Sequence, residues 1–350
     1  MLDLSSDVVA LTAALVDIPS ESRSEREIAD QVEAALRDCG HLQVDRYGNT
    51  VVARTDLGRG QRVVLGGHLD TVPAADNLPH RIESDRVYGL GANDMKGGVA
   101  VALRCAYELR QPSRDVTYVF YECEEIDDEA NGLRRLAEEH PELLEADFAV
   151  LMEPSDAGVE AGCQGTLRVH VRTDGERAHS ARSWLGRNAI HAAADILNRL
   201  NDYQPRSAVI DGLRYREGLN AVGIEGGVAT NVIPDACVVA VNYRYAPDRS
   251  SEQALAHLRE VFHGYPVEVV DNSPGALPGL SHPAAVDFLA ATGAQPRPKF
   301  GWTDVSRFSA LGVPAVNFGP GDPSLAHTRG EFVPMEHLRL CETQMLEWLR

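Results

Sequence analysis

Two histidines and four carboxylates recur one by one at the ends of short apolar runs. His68 closes "VVLGGH", Asp94 sits in "GANDMKGG", Glu124 and Glu125 end "YVFYECEE", Glu153 follows "FAVLM", and His327 lies just beyond "GPGDPSLA". Two imidazoles and three carboxylates form a nitrogen and oxygen ligand set that a borderline divalent cation such as zinc accepts. One acid is left over. A spare carboxylate beside a metal site can carry a proton during hydrolysis. The pattern points to metal-assisted hydrolysis.

Each position also has an ordinary reading. A histidine two residues from an aspartate is common on surfaces; as a metal ligand, His68 needs its other ring N–H fixed, and Asp70 is placed to accept it. Asp94 alone is a turn former in "GANDMKGG", where Gly and Asn favour bends, yet an acid on a stiff, glycine-flanked loop suits a bridge between two ions. Glu124 and Glu125 end a β-rich run, where adjacent buried acids repel and desolvate badly. A cation removes that objection, with one acid ligating and the other holding a proton; the alternative is a solvated acidic loop, "ECEEIDDE". Glu153 stands between an apolar run and Pro154. His327 read alone is a loop residue.

The elements that must gather these residues are legible in outline. A first helix is expected after Ser5-Ser6, ending before Pro19, and a second from a Ser24 cap through Ile28, Val32 and Leu36 to a stop at Gly40. "LQVDRYGNTVVART" reads as a hairpin turning at Gly48-Asn49. "KGGVAVALRCAYEL", from Lys96 to Leu109, is apolar almost all round, as a helix buried against a sheet is. "RVVLGGH", "DVTYVFYE" and "DFAVLME" are buried strands with helices between them. That is the signature of an α/β sheet covered on both faces, whose carboxyl ends collect ligands.

After Gly162 the pattern changes. "TLRVHVRTDG" alternates, "RNAIHAAADILNRL" is helical, "GIEGGVATNVIPDACVVAVNYRYAP" gives two antiparallel strands, and "SSEQALAHLREVF" and "YPVEVVD" add a helix and a strand. Buried patterns return from about Pro274 ("AAVDFLAAT", "VPAVNFGPG"). Because His327 lies in that last stretch, the expectation is a discontinuous main domain (1–164 and 273–350). It is a mixed, largely parallel sheet flanked by helices, with a smaller α+β domain inserted at 165–272.

The bulk numbers set limits. At 350 residues two domains are the default, and 44% hydrophobic with 24% charged residues is ordinary for a globular chain. A net charge of −19 argues against a nucleic-acid or anionic-membrane partner. An anionic substrate would then need local arginines to reverse the field. The opening "MLDLSSDVVALTAALVDIPS" has no basic leader and is broken by Asp3, Asp7 and Asp17, so it reads as neither a signal peptide nor a span. Six scattered cysteines without a CxxC pair fit reduced, buried thiols and a cytoplasmic location.

Taken together, "GGHLDTVP", "GLGANDMKGG", "ECEEI", "MEP" and "AHT" resemble the co-catalytic zinc metallohydrolases, the family that joins succinyl-diaminopimelate desuccinylase, acetylornithine deacetylase, aminoacylase and glutamate-releasing carboxypeptidases. The motifs run in family order from residue 68 to residue 327. The resemblance implies a zinc-peptidase-like catalytic domain holding two zinc ions, with cobalt or manganese able to substitute. His68, Asp94 and Glu153 would hold one ion and Asp94, Glu125 and His327 the other. Asp70 would orient His68, and Glu124 would be general base and then acid.

The resemblance extends to the insert. "ERAHSARSWLGRNAIH" is similar to the opening of the family's dimerisation or lid domain, which implies a homodimer through 165–272 and a His179 that stabilises the oxyanion in the partner's site. "GGVATNVIPDACVVAVNYRY" is similar to the family segment that carries a substrate-facing Asn and a carboxylate-gripping Arg, which implies those roles for Asn231 and Arg244; Arg182 is a further candidate for a substrate carboxylate, with a solvated surface charge as its ordinary reading. "KFGWTDVSRFSALGVPAVNFGPGDPSLAHTRGE" is most similar to the actinobacterial desuccinylase branch. There "GWTD" departs from the Gly-Thr-Ser-Asp turn of the proteobacterial enzymes, which leaves Thr303 as the contact carried over and Asp304 as structural. The implied substrate is a small anionic acyl-amino acid, N-succinyl-LL-2,6-diaminopimelate. Acetylornithine deacetylation, aminoacylase or dipeptidase and carboxypeptidase activity, or a non-catalytic binding role, stay open at this point.

Overall fold

The computed structural model describes residues 2–350. The chain divides into two compact units. The first runs to Ala161 and resumes with Pro278–Arg297 and Arg307–Arg350; the second comprises Gly162–Leu277 and Pro298–Ser306.

The sheet of the first unit starts at one edge with the hairpin Gln43–Tyr47 and Thr50–Arg54, which turns at Gly48 in the left-handed region. It continues through Asp115–Tyr121, Arg62–His68, Phe148–Leu151, Ala315–Asn317 and Glu160–Ala161. The pairings among Asp115–Tyr121, Arg62–His68, Phe148–Leu151 and Ala315–Asn317 are parallel, and the outer ones are antiparallel. The parallel strands are apolar on both faces because helices sandwich them. In register, His68 stands opposite Tyr121 and Gly66 opposite Leu151. The residues just past these strand ends, Leu69-Asp70, Glu122 to Glu125 and Met152-Glu153, therefore emerge at one edge of the sheet.

Helix Gly97–Glu108 packs on Arg62–His68 and against helices Val8–Val16 and Met335–Leu349. Its buried face is nearly the whole helix, as its composition requires. Phe148, Phe288 and Trp348 close the same core with ring centroids 4.8–6.0 Å apart. Asp7 caps Val8–Val16 by accepting the N–H groups of Val9 and Ala10. Helix Arg26–Asp38 forms as expected, but Ser24 does not cap it. Glu25 holds the cap position without a side-chain cap bond, and its carboxylate instead accepts the Arg23 and Cys123 N–H groups. A tertiary partner outcompetes the local cap.

In the second unit the antiparallel order is Gly218–Gly226, Ala236–Tyr245, Gly165–Asp174, Val267–Ser273. The alternation places Leu167, Val169 and Val171 inward against Val239, Val241 and Tyr243. Helices Ala189–Asp202 and Ser251–Val261 add Ala193, Ile196, Ala254 and Leu258 to that core. Asn188 caps the first helix, and Ser250 with Gln253 forms a capping box on the second. Among the described residues, no helix is long and apolar enough to cross a membrane.

One close approach fixes where a chemically suggestive strand end lies. A Cβ on Gly98, in the first turn of helix Gly97–Glu108, would sit 2.0 Å from the Met152 carbonyl oxygen, next to Glu153. Backbone cannot give way as a flexible side chain can. We expect Gly98→Ala to lower unfolding stability by about 1–3 kcal/mol, the usual range for overpacking. Gly60→Ala, with nothing within 4 Å, should stay near wild type; denaturant melts of the two variants check this.

Candidate metal centre

Every expected ligand belongs to the first unit, and side-chain geometry sorts them into two groups. One ligand atom each from His68, Asp94 and Glu153 lie within 4.8 Å of one another, and the same holds for Asp94, Glu125 and His327. Asp94 belongs to both. His68 Nε2 is 3.1 Å from Asp94 Oδ1, and His327 Nε2 lies 2.9 Å from Glu125 Oε2 and 3.6 Å from Asp94 Oδ2. The shared acid sits in the tight turn Ala92–Lys96, just ahead of the buried helix. That turn is why a residue 26 positions beyond His68 comes back to it.

Electrostatics states what the groups are built to hold. Desolvation alone would lower the pKa of the fully buried His68; the Asp70 and Asp94 carboxylates, aided by Glu153, lift it well above the ordinary imidazole range. For His327 the hydrogen bond to Glu125 leads, with Asp94 adding, and its pKa rises to about 9 against desolvation. The acids thus favour positive charge at both imidazoles. A divalent cation supplies the same positive charge at the same place, to a nitrogen and oxygen donor set that suits it, so the residues fit a metal.

Asp70 does more than the sequence indicates. His68 Nδ1 is nearer to the Asp70 carbonyl oxygen (3.1 Å) than to its carboxylate (3.5 Å). The carboxylate accepts the N–H of Glu124 at 3.0 Å and of Glu125 at 3.1 Å, and the Ser22 hydroxyl at 2.8 Å. Burial pushes the Asp70 carboxyl up, but His68 and the two N–H groups outweigh it and hold it below its usual value. One buried anion therefore fixes the backbone of both acids just beyond the strand Asp115–Tyr121. Ser22, from the N-terminal segment, carries no sequence signal for this role.

A second residue went unnoticed in the sequence. Glu331, only 2% exposed, directs its carboxylate at the turn that carries Asp94. The sole hint is its place four residues after His327.

The remaining expected contacts lie in the second unit. His179 and Asn231 come together there: Val232 pairs with His179, and the Ser180 N–H donates to the Asn231 carbonyl oxygen at 2.9 Å. His179 Nδ1 accepts the Ala181 N–H at 3.0 Å, so its neutral ring carries the proton on Nε2, as a donor. Arg182 is exposed. Arg244, half-buried on Ala236–Tyr245, has a guanidinium pKa pushed down by burial and by Arg168. Thr303 is buried, and its hydroxyl has no hydrogen-bond partner among the described residues.

The chain is similar to known proteins over almost all of its length. A Corynebacterium glutamicum succinyl-diaminopimelate desuccinylase is 49% identical over 348 residues, covering 96% of this chain and 94% of the relative. A Mycobacterium tuberculosis protein that carries the same activity provisionally is 59% identical over 341 residues, covering 97% and 96%. Among solved structures, a Staphylococcus aureus tripeptidase superposes with a TM-score of 0.81 at 24% identity, covering 100% of this chain and 98% of its own, a likeness of fold. The model of Peptidase family M20/M25/M40 matches residues 64–349. The chain belongs to that family.

Proposed function

We propose that this chain hydrolyses the amide of N-succinyl-LL-2,6-diaminopimelate, yielding succinate and LL-2,6-diaminopimelate, with two zinc ions as cofactor and cobalt or manganese able to substitute. The observation that carries the reaction type is the sharing of Asp94 between two three-residue groups, with Glu124, a member of neither, next to Glu125. Similarity to the Corynebacterium glutamicum enzyme supports the substrate.

His68, Asp94 and Glu153 would hold one ion, and Asp94, Glu125 and His327 the other. The ions, when bound, supply Lewis-acid polarisation of the amide carbonyl and acidify water toward a pKa of about 7. Asp70 keeps Glu124 aimed by gripping its N–H. Glu124 takes one proton of the attacking water and delivers it to the leaving nitrogen, so that the C–N bond breaks; the water's second proton also passes to the amine, and the products are a carboxylate and an ammonium group. His179, with its proton on Nε2, donates to the oxyanion.

The substrate's carboxylates meet Arg244 and Arg182, with Asn231 and Thr303 completing the polar contacts. A guanidinium whose charge is penalised by burial and by a neighbouring arginine is arranged for an incoming anion. That resolves the conflict between a net charge of −19 and an anionic substrate, because recognition is local. Six free cysteines support a reducing, cytoplasmic location.

We further propose that the working form is a homodimer through 165–272. Strand Gly218–Gly226 is a sheet edge, and Val222 (63% exposed) and Ile224 (51%) lie bare along it. Ile190 and Leu197 extend the patch on the adjoining helix Ala189–Asp202. A long apolar edge left open is an aggregation hazard unless another chain covers it. The second copy's His179 then reaches the site.

Three measurements test this reading. Glu124→Gln should retain two metal equivalents while losing about 10²–10⁴-fold in turnover of succinyl-diaminopimelate, the usual worth of a general base; full turnover would remove Glu124 from the mechanism. Arg244→Ala should raise KM for the succinylated substrate far more than for an analogue with an uncharged acyl group, and equal effects would argue against carboxylate recognition. In sedimentation, wild type should run as a dimer and Ile224→Lys as a monomer. A wild type that is monomeric at micromolar concentration would refute the dimer.

A further inference from the structure

Asp94 can serve two ions only if the turn that carries it keeps a fixed distance from the segment that carries His327. Those two segments lie 233 positions apart in the chain, counted from residue 94 to residue 327. His327 is the most loosely packed of the ligands, with its side chain 52% exposed. Neither ligand explains by itself how that distance is held.

We infer that Glu331 is the positioning residue that sets the spacing of the two ion sites, by clamping the backbone of the Asp94 turn to the His327 segment. Its Oε1 accepts the N–H of Asn93 at 2.9 Å and of Asp94 itself at 3.0 Å, and its Oε2 accepts the N–H of Gly91 at 3.1 Å. Three donors from a four-residue stretch converge on one carboxylate. Its main chain joins in, with the Gly89 N–H donating to the Glu331 carbonyl oxygen at 3.2 Å. Glu331 lies only four residues past His327, and its own N–H donates to the Thr328 carbonyl oxygen at 3.2 Å, so little slack separates clamp and ligand.

The surroundings make the clamp rigid. Glu331 as a whole is 2% exposed, so water has little access to its carboxylate. Asn93 Nδ2 adds a second stitch to the Asp322 carbonyl oxygen at 3.0 Å. The turn is tight: Gly91 has φ +77, and a Cβ there would lie 2.8 Å from Thr71 Cγ2. Lys96, 1% exposed, donates to the Ile18 carbonyl oxygen at 2.7 Å close to Glu331, although burial lowers its pKa to about 7. A neutral acceptor could not hold all three N–H groups as well as a carboxylate does.

This rests on the reading that Asp94 is shared by two ions, and the test separates the two claims. Metal-free wild type, Glu331→Gln, Glu331→Ala and Arg329→Ala would be titrated with Zn²⁺ by calorimetry against a competing chelator, beside their metal-free melting curves. In Glu331→Gln the shape is kept, but an NH2 group takes one oxygen's place among N–H donors, so this variant keeps the test alive if the alanine variant does not fold. Wild type should bind two equivalents. Both should weaken about 10–100-fold in the Glu331 variants, as happens when outer partners of metal ligands are lost. Arg329→Ala, which removes only an exposed pair with Asp76, should bind as wild type does. Unchanged affinities in Glu331→Gln, even with a lower Tm, would reduce Glu331 to a structural residue and overturn the inference alone. Loss confined to one equivalent would also overturn it, since a clamp on the shared ligand must act on both. Fewer than two equivalents in wild type would overturn the shared-ligand reading and this inference with it.

Discussion

Crowded negative charge is the constraint around which the first unit is organised. Asp70, Asp94, Glu124, Glu125, Glu153 and Glu331 gather at one edge of a largely parallel sheet, and Asp70, Glu153 and Glu331 are almost fully buried. Acids in such a place must be neutralised or hydrogen-bonded, because desolvation of a bare carboxylate is prohibitive. The fold uses two means. Main-chain N–H groups satisfy Asp70 and Glu331, which leaves them outside either ligand set. Asp94, Glu125 and Glu153 face the imidazoles instead, and there the positive charge must come from protons or from metal. The division of labour between structural and ligating acids follows from which ones the backbone can satisfy.

The same logic links the site to the strand order. Parallel strands put every carboxyl end on one side, so a ligand placed just past a strand is close to the next without any special loop. Asp94 and His327 are the exceptions. Asp94 lies beyond a strand and a sharp turn and is held by a carboxylate from near the other end of the chain; His327 lies ten positions past Ala315–Asn317, beyond the turn Pro323–Leu325. Members delivered by loops need a clamp that the strand-borne members do not.

Much of this was legible in the residues. Apolar runs marked the buried strands, the alternation in Gly165–Asp174 marked a half-exposed one, and the chemistry of His68, Asp94, Glu125, Glu153 and His327 announced their kind. What stayed hidden depended on contacts between distant segments. Ser24 looks like a cap, yet Glu25 is drawn away to the Cys123 N–H and the helix starts without it. Asp70 looks like a partner for an imidazole, and its carboxylate lies closer to two backbone N–H groups. Glu331 looks like one more surface acid. A carboxylate that accepts main-chain donors has no sequence signature, since any residue supplies an N–H.

The glycines pressed against the end of strand Phe148–Leu151 have a further bearing. Gly98 approaches the Met152 carbonyl oxygen from one element, and a Cβ on Gly319 would fall 2.3 Å from that oxygen and 2.6 Å from that of Glu153. Glu153 is thus aimed by main chain set against main chain, with no intervening side chain to choose. At these two sites even a methyl group meets main chain rather than a side chain that could move aside.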